Sequence, residues 1–192
     1  MKMNILTALV AGSLSLSAAI AADTSTGGSA DPLADVGMDK SEGCMTGPMA
    51  QFGRYLGDWD IADEQLSQDG TTWTAGAGAR WNFTCLGNGT AIQDFWMPNG
   101  GGFGTNLRMY DKATDSWDIA WSNNSTPAMA HISAKENESG NIVMHYVAPK
   151  PTPARRITFF PPTENSWNWQ LEISTDGEKS WRTVYRIKAT RR

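Results

Sequence analysis

Residues Trp167-Asn168-Trp169-Gln170-Leu171-Glu172-Ile173-Ser174 alternate strictly, with Trp, Trp, Leu and Ile set against Asn, Gln, Glu and Ser. A period of two puts the two sets on opposite sides of an extended strand, whereas a helix would scatter both around its axis. The same alternation recurs at Trp117-Asp118-Ile119-Ala120-Trp121, at Trp81, Phe83 and Cys85 against Asn82 and Thr84, and at Trp181, Thr183, Tyr185 and Ile187 against Arg182, Arg186 and Lys188. Ten strands are expected, near 58–66, 72–85, 90–97, 104–110, 115–122, 128–134, 141–147, 154–160, 166–174 and 180–189. The joints between them are short: Gln68-Asp69-Gly70, Gly87-Asn88-Gly89, Asp111 to Asp115, Ser139-Gly140-Asn141 and Thr175-Asp176-Gly177. Asx-Gly pairs adopt the positive backbone angles of tight hairpins, so successive strands are expected to be antiparallel neighbours. Only Pro149-Lys150-Pro151-Thr152-Pro153 reads as a wider loop. A ten-strand meander with one apolar face has to hide that face and its two edges, and closing into a barrel does both.

The interior of such a barrel would be aromatic. The chain has 192 residues, enough for one ordinary domain, and nine of them are Trp while apolar residues make up only 40%. Four tryptophans follow a hydroxyl residue just after a turn (Thr72-Trp73, Ser116-Trp117, Ser166-Trp167 and Ser180-Trp181), as though one hairpin solution were reused. The formal charge of -4 offers no field for a polyanion, which argues against a nucleic-acid partner.

The N-terminal stretch has a different character. Lys2 precedes an apolar, small-residue run from Ile5 to Ile20 that closes on Ala19-Ile20-Ala21, the pattern of a secretory signal cut after Ala21. Residues 22–48 are mostly Ser, Thr, Gly, Asp and Pro and read as a flexible polar leader, followed by a single domain over 49–192. Met49, Phe52 and Leu56 fall at helical spacing, so a short helix is expected before Gly57. No later segment is long and apolar enough to span a bilayer, so a periplasmic or secreted protein is expected. In an oxidising compartment Cys44 and Cys85 are expected to pair and fasten the leader to the body. Closing a loop of that length contributes on the order of 3–4 kcal/mol in the chain-entropy model.

Leu56-Gly57-Asp58-Trp59, directly after the short helix, resembles the Gly-x-Trp opening of lipocalins and the wider calycin group. With Gly70-Thr71-Thr72-Trp73, Leu107-Arg108-Met109-Tyr110-Asp111 followed by Trp117, and Ser174-x-Asp176-Gly177 before Trp181, the pattern over residues 49–190 resembles an uncharacterised bacterial family of lipocalin-like domains. The resemblance implies a barrel with an internal cavity and transfers no catalytic residues. It also implies structural roles for Gly57 and for Trp59, which would plug the closed end under an arginine of the last strand, with Arg182 and Arg186 as candidates.

Motifs for chemistry are sparse. Gly100-Gly101-Gly102-Phe103-Gly104-Thr105 lacks the Gly-Lys-Ser/Thr ending of a phosphate loop and no helix follows it, so it reads as a flexible loop at the barrel mouth. There is no Gly-x-Ser-x-Gly elbow. His131 and His145 are the only histidines; neither has partners spaced as in a zinc site, and no metal or cofactor is expected. The function expected is binding of a small hydrophobic or aromatic molecule in an aromatic-lined cavity, with Trp81, Phe83, Trp96, Met109, Trp121 and Trp169 as wall residues. Arg108 is the expected polar contact, since an inward arginine on an apolar strand needs an anion. Three other readings stay open: a hydrolase or isomerase using His131 or His145 with a carboxylate, a haem-binding barrel, and a filled structural barrel in a cell-envelope assembly. The first requires a histidine inside the cavity and the last an exposed apolar patch.

Overall fold

The computed structural model describes residues 40–192. The expected signal segment 1–21 and leader residues 22–39 lie outside the described residues. Eleven antiparallel strands follow one another: β1 (Gly57–Leu66), β2 (Trp73–Ala75), β3 (Ala79–Leu86), β4 (Ala91–Pro98), β5 (Gly104–Asp111), β6 (Ser116–Asn123), β7 (Thr126–Glu136), β8 (Ile142–Ala148), β9 (Ala154–Phe159), β10 (Ser166–Ser174) and β11 (Arg182–Arg191). From β4 onward each strand pairs with its predecessor, β3 pairs with β1, and β11 returns to β1 from Trp59↔Arg191 to Gln65↔Tyr185, closing a ten-strand barrel. The extra strand β2 is a short flap paired to the far end of β1, Glu64 to Ala75 and Leu66 to Trp73.

Strand boundaries match the alternation closely, with one break. The single strand expected over 72–85 is two, because Gly76-Ala77-Gly78 wraps around Asp63. The Gly76 N–H donates to the Asp63 carbonyl and the Gly78 N–H to its carboxylate, each at 2.8 Å. A Cβ at Gly76 would come within 2.0 Å of that carboxylate, so only glycine permits the approach.

One end of the barrel is sealed from below. Two 3-10 turns, Glu42–Met45 and Gly47–Met49, lead into the short helix α1 (Ala50–Gly53), and Cys44 and Phe52 are fully buried. The end of the expected leader therefore belongs to the fold. Cys44 is bonded to Cys85 on β3 with 6.0 Å between their Cα atoms, and Gly43 and Gly53 let the backbone of this segment touch Asn88 and Cys44 directly. Above it Phe52 meets Trp117 edge-on at 4.9 Å, Tyr55 meets Trp167 at 5.2 Å, and Phe159 stacks on Trp167 at 5.5 Å. Trp59 is fully buried, donates its indole N–H to the Tyr55 carbonyl at 2.7 Å and lies under a guanidinium at 4.0 Å.

That guanidinium belongs to Arg191, not to Arg182 or Arg186. The β1/β11 register sets Trp59 against Arg191 and leaves Arg182 at the other end of the strand; Arg186 pairs with Glu64 at 2.7 Å and covers Trp73 at 4.2 Å on the outer wall. Trp181, expected to share the inner face with Ile187, precedes β11 and lies under Arg156 at 4.5 Å. Ser174 and Asp176 hold the intervening hairpin, and Arg156 is locked to Glu172 by two bonds of 2.9 Å. Trp181 thus covers an outer-wall ion pair.

Tyr55 supplies a titratable probe of the sealed end. Its hydroxyl donates to the Phe160 carbonyl at 2.9 Å, and burial, partly opposed by Arg54, pushes its pKa up from 10.0 to about 12. The fold favours the neutral phenol, so this contribution is complete below pH 10 and is lost as the pH climbs toward about 12. Urea denaturation across that range is expected to show an alkaline loss of about 2–3 kcal/mol that Tyr55→Phe removes. An unchanged alkaline limb in the variant would contradict the assignment.

Candidate functional site

The other end of the barrel is hollow. A cavity of about 260 Å³ lies between the sealed end and the hairpin ends of the strands. Trp81, Trp96, Trp121 and Trp169 line it, with Tyr146 and Tyr185, and Ile132, Met144, Ile157, Leu171 and Ile187 complete an apolar wall. Strand alternation places these residues: on β3 Ala79, Trp81, Phe83 and Cys85 are all buried, and on β6 Trp117 and Ile119 point the same way as Trp121. The indoles interlock, Trp81 meeting Trp96 edge-on at 5.0 Å and Trp169 at 6.4 Å. Trp121 rests on Gly104, where an added Cβ would come within 2.3 Å of its ring. The glycine-rich loop leading into Gly104 is at the mouth, and the N–H of Phe103 is tied to the Asn124 side chain at 2.9 Å.

The floor is polar. Arg108 faces inward and is fully buried, as is Asp94 on the adjacent strand, and the two are in ion-pair contact. Nη1 of Arg108 is taken by the Asp94 carboxylate, while its Nε and Nη2 have no hydrogen-bond partner among the described residues. Phe52, Phe83 and Phe159 face the guanidinium at 4.8, 5.2 and 5.8 Å, a cation-π cage that offsets part of its desolvation. Burial pushes the Arg108 pKa down and the Asp94 carboxylate works against that. Asp94 is also held by the backbone and side-chain N–H groups of Asn106, each at 3.1 Å.

Of the residues expected at the site, Trp81, Trp96, Arg108, Trp121 and Trp169 come together on one cavity. Phe83 is buried beneath it as part of the cage rather than on its wall. Met109 is not in the site: it is 49% exposed on the outer wall, because Arg108 points in and period two sends its neighbour out. The anion expected for Arg108 is Asp94. It was legible in Ile92-Gln93-Asp94-Phe95-Trp96, where alternation puts a carboxylate on the apolar face. Tyr146 and Tyr185 carry weaker signals, half-buried at the ends of their strands; Tyr185 donates to Asp63 at 2.7 Å, and burial together with that carboxylate raises its pKa.

Both histidines face outward. His131 pairs with Asp118 at 2.9 Å on the outer wall, and His145 is exposed beside Trp181 at 6.3 Å. No histidine lines the cavity among the described residues, so the histidine-dependent hydrolase or isomerase loses the placement it requires. The filled barrel of a purely structural module is likewise not what the interior contains.

No family model matches the chain, and no curated protein matches it in sequence. Solved structures do resemble it. The S-type phycobiliprotein lyase CPES from Guillardia theta aligns at a TM-score of 0.54 with 13% identity, covering 79% of this chain and 95% of that one. Rv2717c from M. tuberculosis aligns at 0.52 with 10% identity, covering 77% and 98%. Both are lipocalin-like barrels of the calycin type. At such identities the likeness is one of fold.

The buried ion pair makes a sharp stability prediction. Asp94→Ala leaves a guanidinium with no counter-ion and is expected to cost about 3–5 kcal/mol, whereas Asp94→Leu combined with Arg108→Met is expected to recover most of that loss. Chemical denaturation of the three proteins checks this, and equal losses in the single and double variants would contradict it.

Proposed function

We propose that this protein is an exported binding protein that holds a small, largely apolar, ring-containing molecule in the barrel cavity, and that it belongs to the bacterial lipocalin-like family whose motifs it resembles. The observation that carries the reading is the cavity of about 260 Å³ walled by four indoles. Trp faces make dispersion and quadrupole contacts with rings and acyl chains, and their edges leave an N–H to orient a polar atom. Size narrows the choice. An apolar cavity of about 150 Å³ accommodates benzene, and pockets for drug-sized ligands start near 300 Å³, so a one- or two-ring molecule fits. A tetrapyrrole such as haem does not fit inside without displacing the mouth, and no inward histidine is there to ligate its iron. Export is supported by the apolar N-terminal run and by the paired cysteines.

Native mass spectrometry of the protein purified from its own host, with tryptophan fluorescence followed as any bound species is released, tests this directly. The expected result is a co-purifying small molecule whose release restores Trp emission, with Trp121→Ala and Trp169→Ala each weakening rebinding about tenfold. A clean apo mass together with no response to one- and two-ring hydrophobic probes would overturn the reading.

A further inference from the structure

Two adjacent arginines on β9 go to opposite sides of the barrel wall. Arg156 points outward, where Glu172 holds it by two bonds of 2.9 Å and Trp181 covers it. Period two then gives Arg155 the side of Ile157 and Phe159, which line the cavity, one step nearer the mouth. Arg155 is exposed, and among the described residues no carboxylate is in ion-pair contact with it. The β8/β9 register sets His145 against Arg156 and so makes Tyr146 the neighbour of Arg155. Tyr146 lines the cavity; burial raises its pKa, and Arg155 works against that rise through its charge and a hydrogen bond to the phenol. A guanidinium and a phenol O–H thus stand together where the cavity opens.

The surrounding charges leave this arc of the rim positive. The Gly-rich loop 99–103, the turn at 124–125 and the Pro-rich loop 149–153 hold one charged side chain between them, Lys150. The acids of the rim lie on the opposite arc and are engaged there: Asp63 accepts from Tyr185 and the Gly78 N–H, Asp69 from Ser67 and Thr71, and Asp176 from Ser174 and Ser180. Glu178 acts on His145, on the outer wall. Deeper in the cavity charge is already balanced, because Arg108 is in contact with Asp94 and Asn106 also holds that carboxylate. A second anion there would leave a net negative charge in a desolvated site, whereas at the rim it meets an arginine still open to water. We propose that Arg155 and Tyr146 form an anion-accepting rim, and that the bound molecule is an amphipathic carboxylate seated ring-first among the indoles with its carboxylate at the mouth, on the forked N–H groups of Arg155. The proposal rests on the cavity-binding reading above and adds the charge and orientation of the ligand.

Three probes of one skeleton and different charge test it: 2-naphthaleneacetate, the neutral 2-naphthaleneacetamide and the cationic 2-(2-naphthyl)ethylammonium, titrated calorimetrically into the full chain at low salt. The carboxylate is expected to bind about tenfold more tightly than the amide and the ammonium most weakly, with the carboxylate's advantage shrinking as salt is added. Arg155→Met keeps the stem of the side chain and removes its charge. It is expected to abolish the advantage while leaving the amide within about twofold, which also shows that the barrel is intact. Tyr146→Phe is expected to cut the advantage about threefold. Equal affinities for carboxylate and amide, or tightest binding of the ammonium, overturn the anion-accepting rim. A carboxylate preference that survives Arg155→Met overturns the assignment to Arg155. Binding of none of the three overturns the cavity-binding reading itself.

Discussion

Asp94 and Arg108 sit across a strand pair at mid-height in the barrel, fully buried and in contact, and they divide its interior into two halves of different character. Below them is a dense aromatic pack, with Phe52, Phe83 and Phe159 turned toward the guanidinium and Trp59, Trp117 and Trp167 filling the sealed end. Above them Trp81, Trp96, Trp121 and Trp169 line an open cavity. A buried ion pair is weak evidence for stability, since desolvation consumes most of the Coulombic gain. Its effect here is positional. The guanidinium can leave the pair only by abandoning both its counter-ion and three ring faces, so the floor of the cavity is held in place by groups that cannot relax into it.

The sealed end depends on a second constraint, the fastening of residues 42–53 beneath the barrel. The Cys44–Cys85 bond and the close backbone approaches at Gly43 and Gly53 hold Phe52 under Trp117 and Phe159. Phe52 is also one face of the cage around Arg108, so the plug, the ion pair and the cavity floor form one packed column. Interiors this dense transmit displacement rather than absorb it. The mouth lacks an equivalent: its residues are half-buried and its loops are rich in Gly and Pro.

Much of this architecture was legible in the chain because period-two alternation and Asx-Gly turns are local signals. The strand expected over 166–174 is β10, Ser166–Ser174. What was not legible depends on register or on distant partners. Arg108 and Met109 are adjacent and cannot both face inward; the position of Asp94, one strand away, shows which does. Arg191 rather than Arg182 or Arg186 meets Trp59 because ring closure, a contact between first and last strands, sets that pairing. Trp181 continues the alternation of β11 on paper, yet the Asp176 hairpin withdraws it from the strand, and cation-π contact with Arg156 gives it another place. The tail of the leader looked too polar to order, and its composition does not reveal that Cys44 is pinned at the barrel base.

The tryptophan-rich interior is packed below Arg108 and hollow above it. Crystals of the protein pressurised with xenon test this most directly, because open space walled by apolar side chains takes up the gas while a filled core does not. A xenon peak is expected bounded by Trp81, Trp96, Trp121 and Trp169 on the mouth side of Arg108, and none among Phe52, Trp59 and Trp117. Interdigitated indoles that leave no xenon site above Arg108 would contradict it.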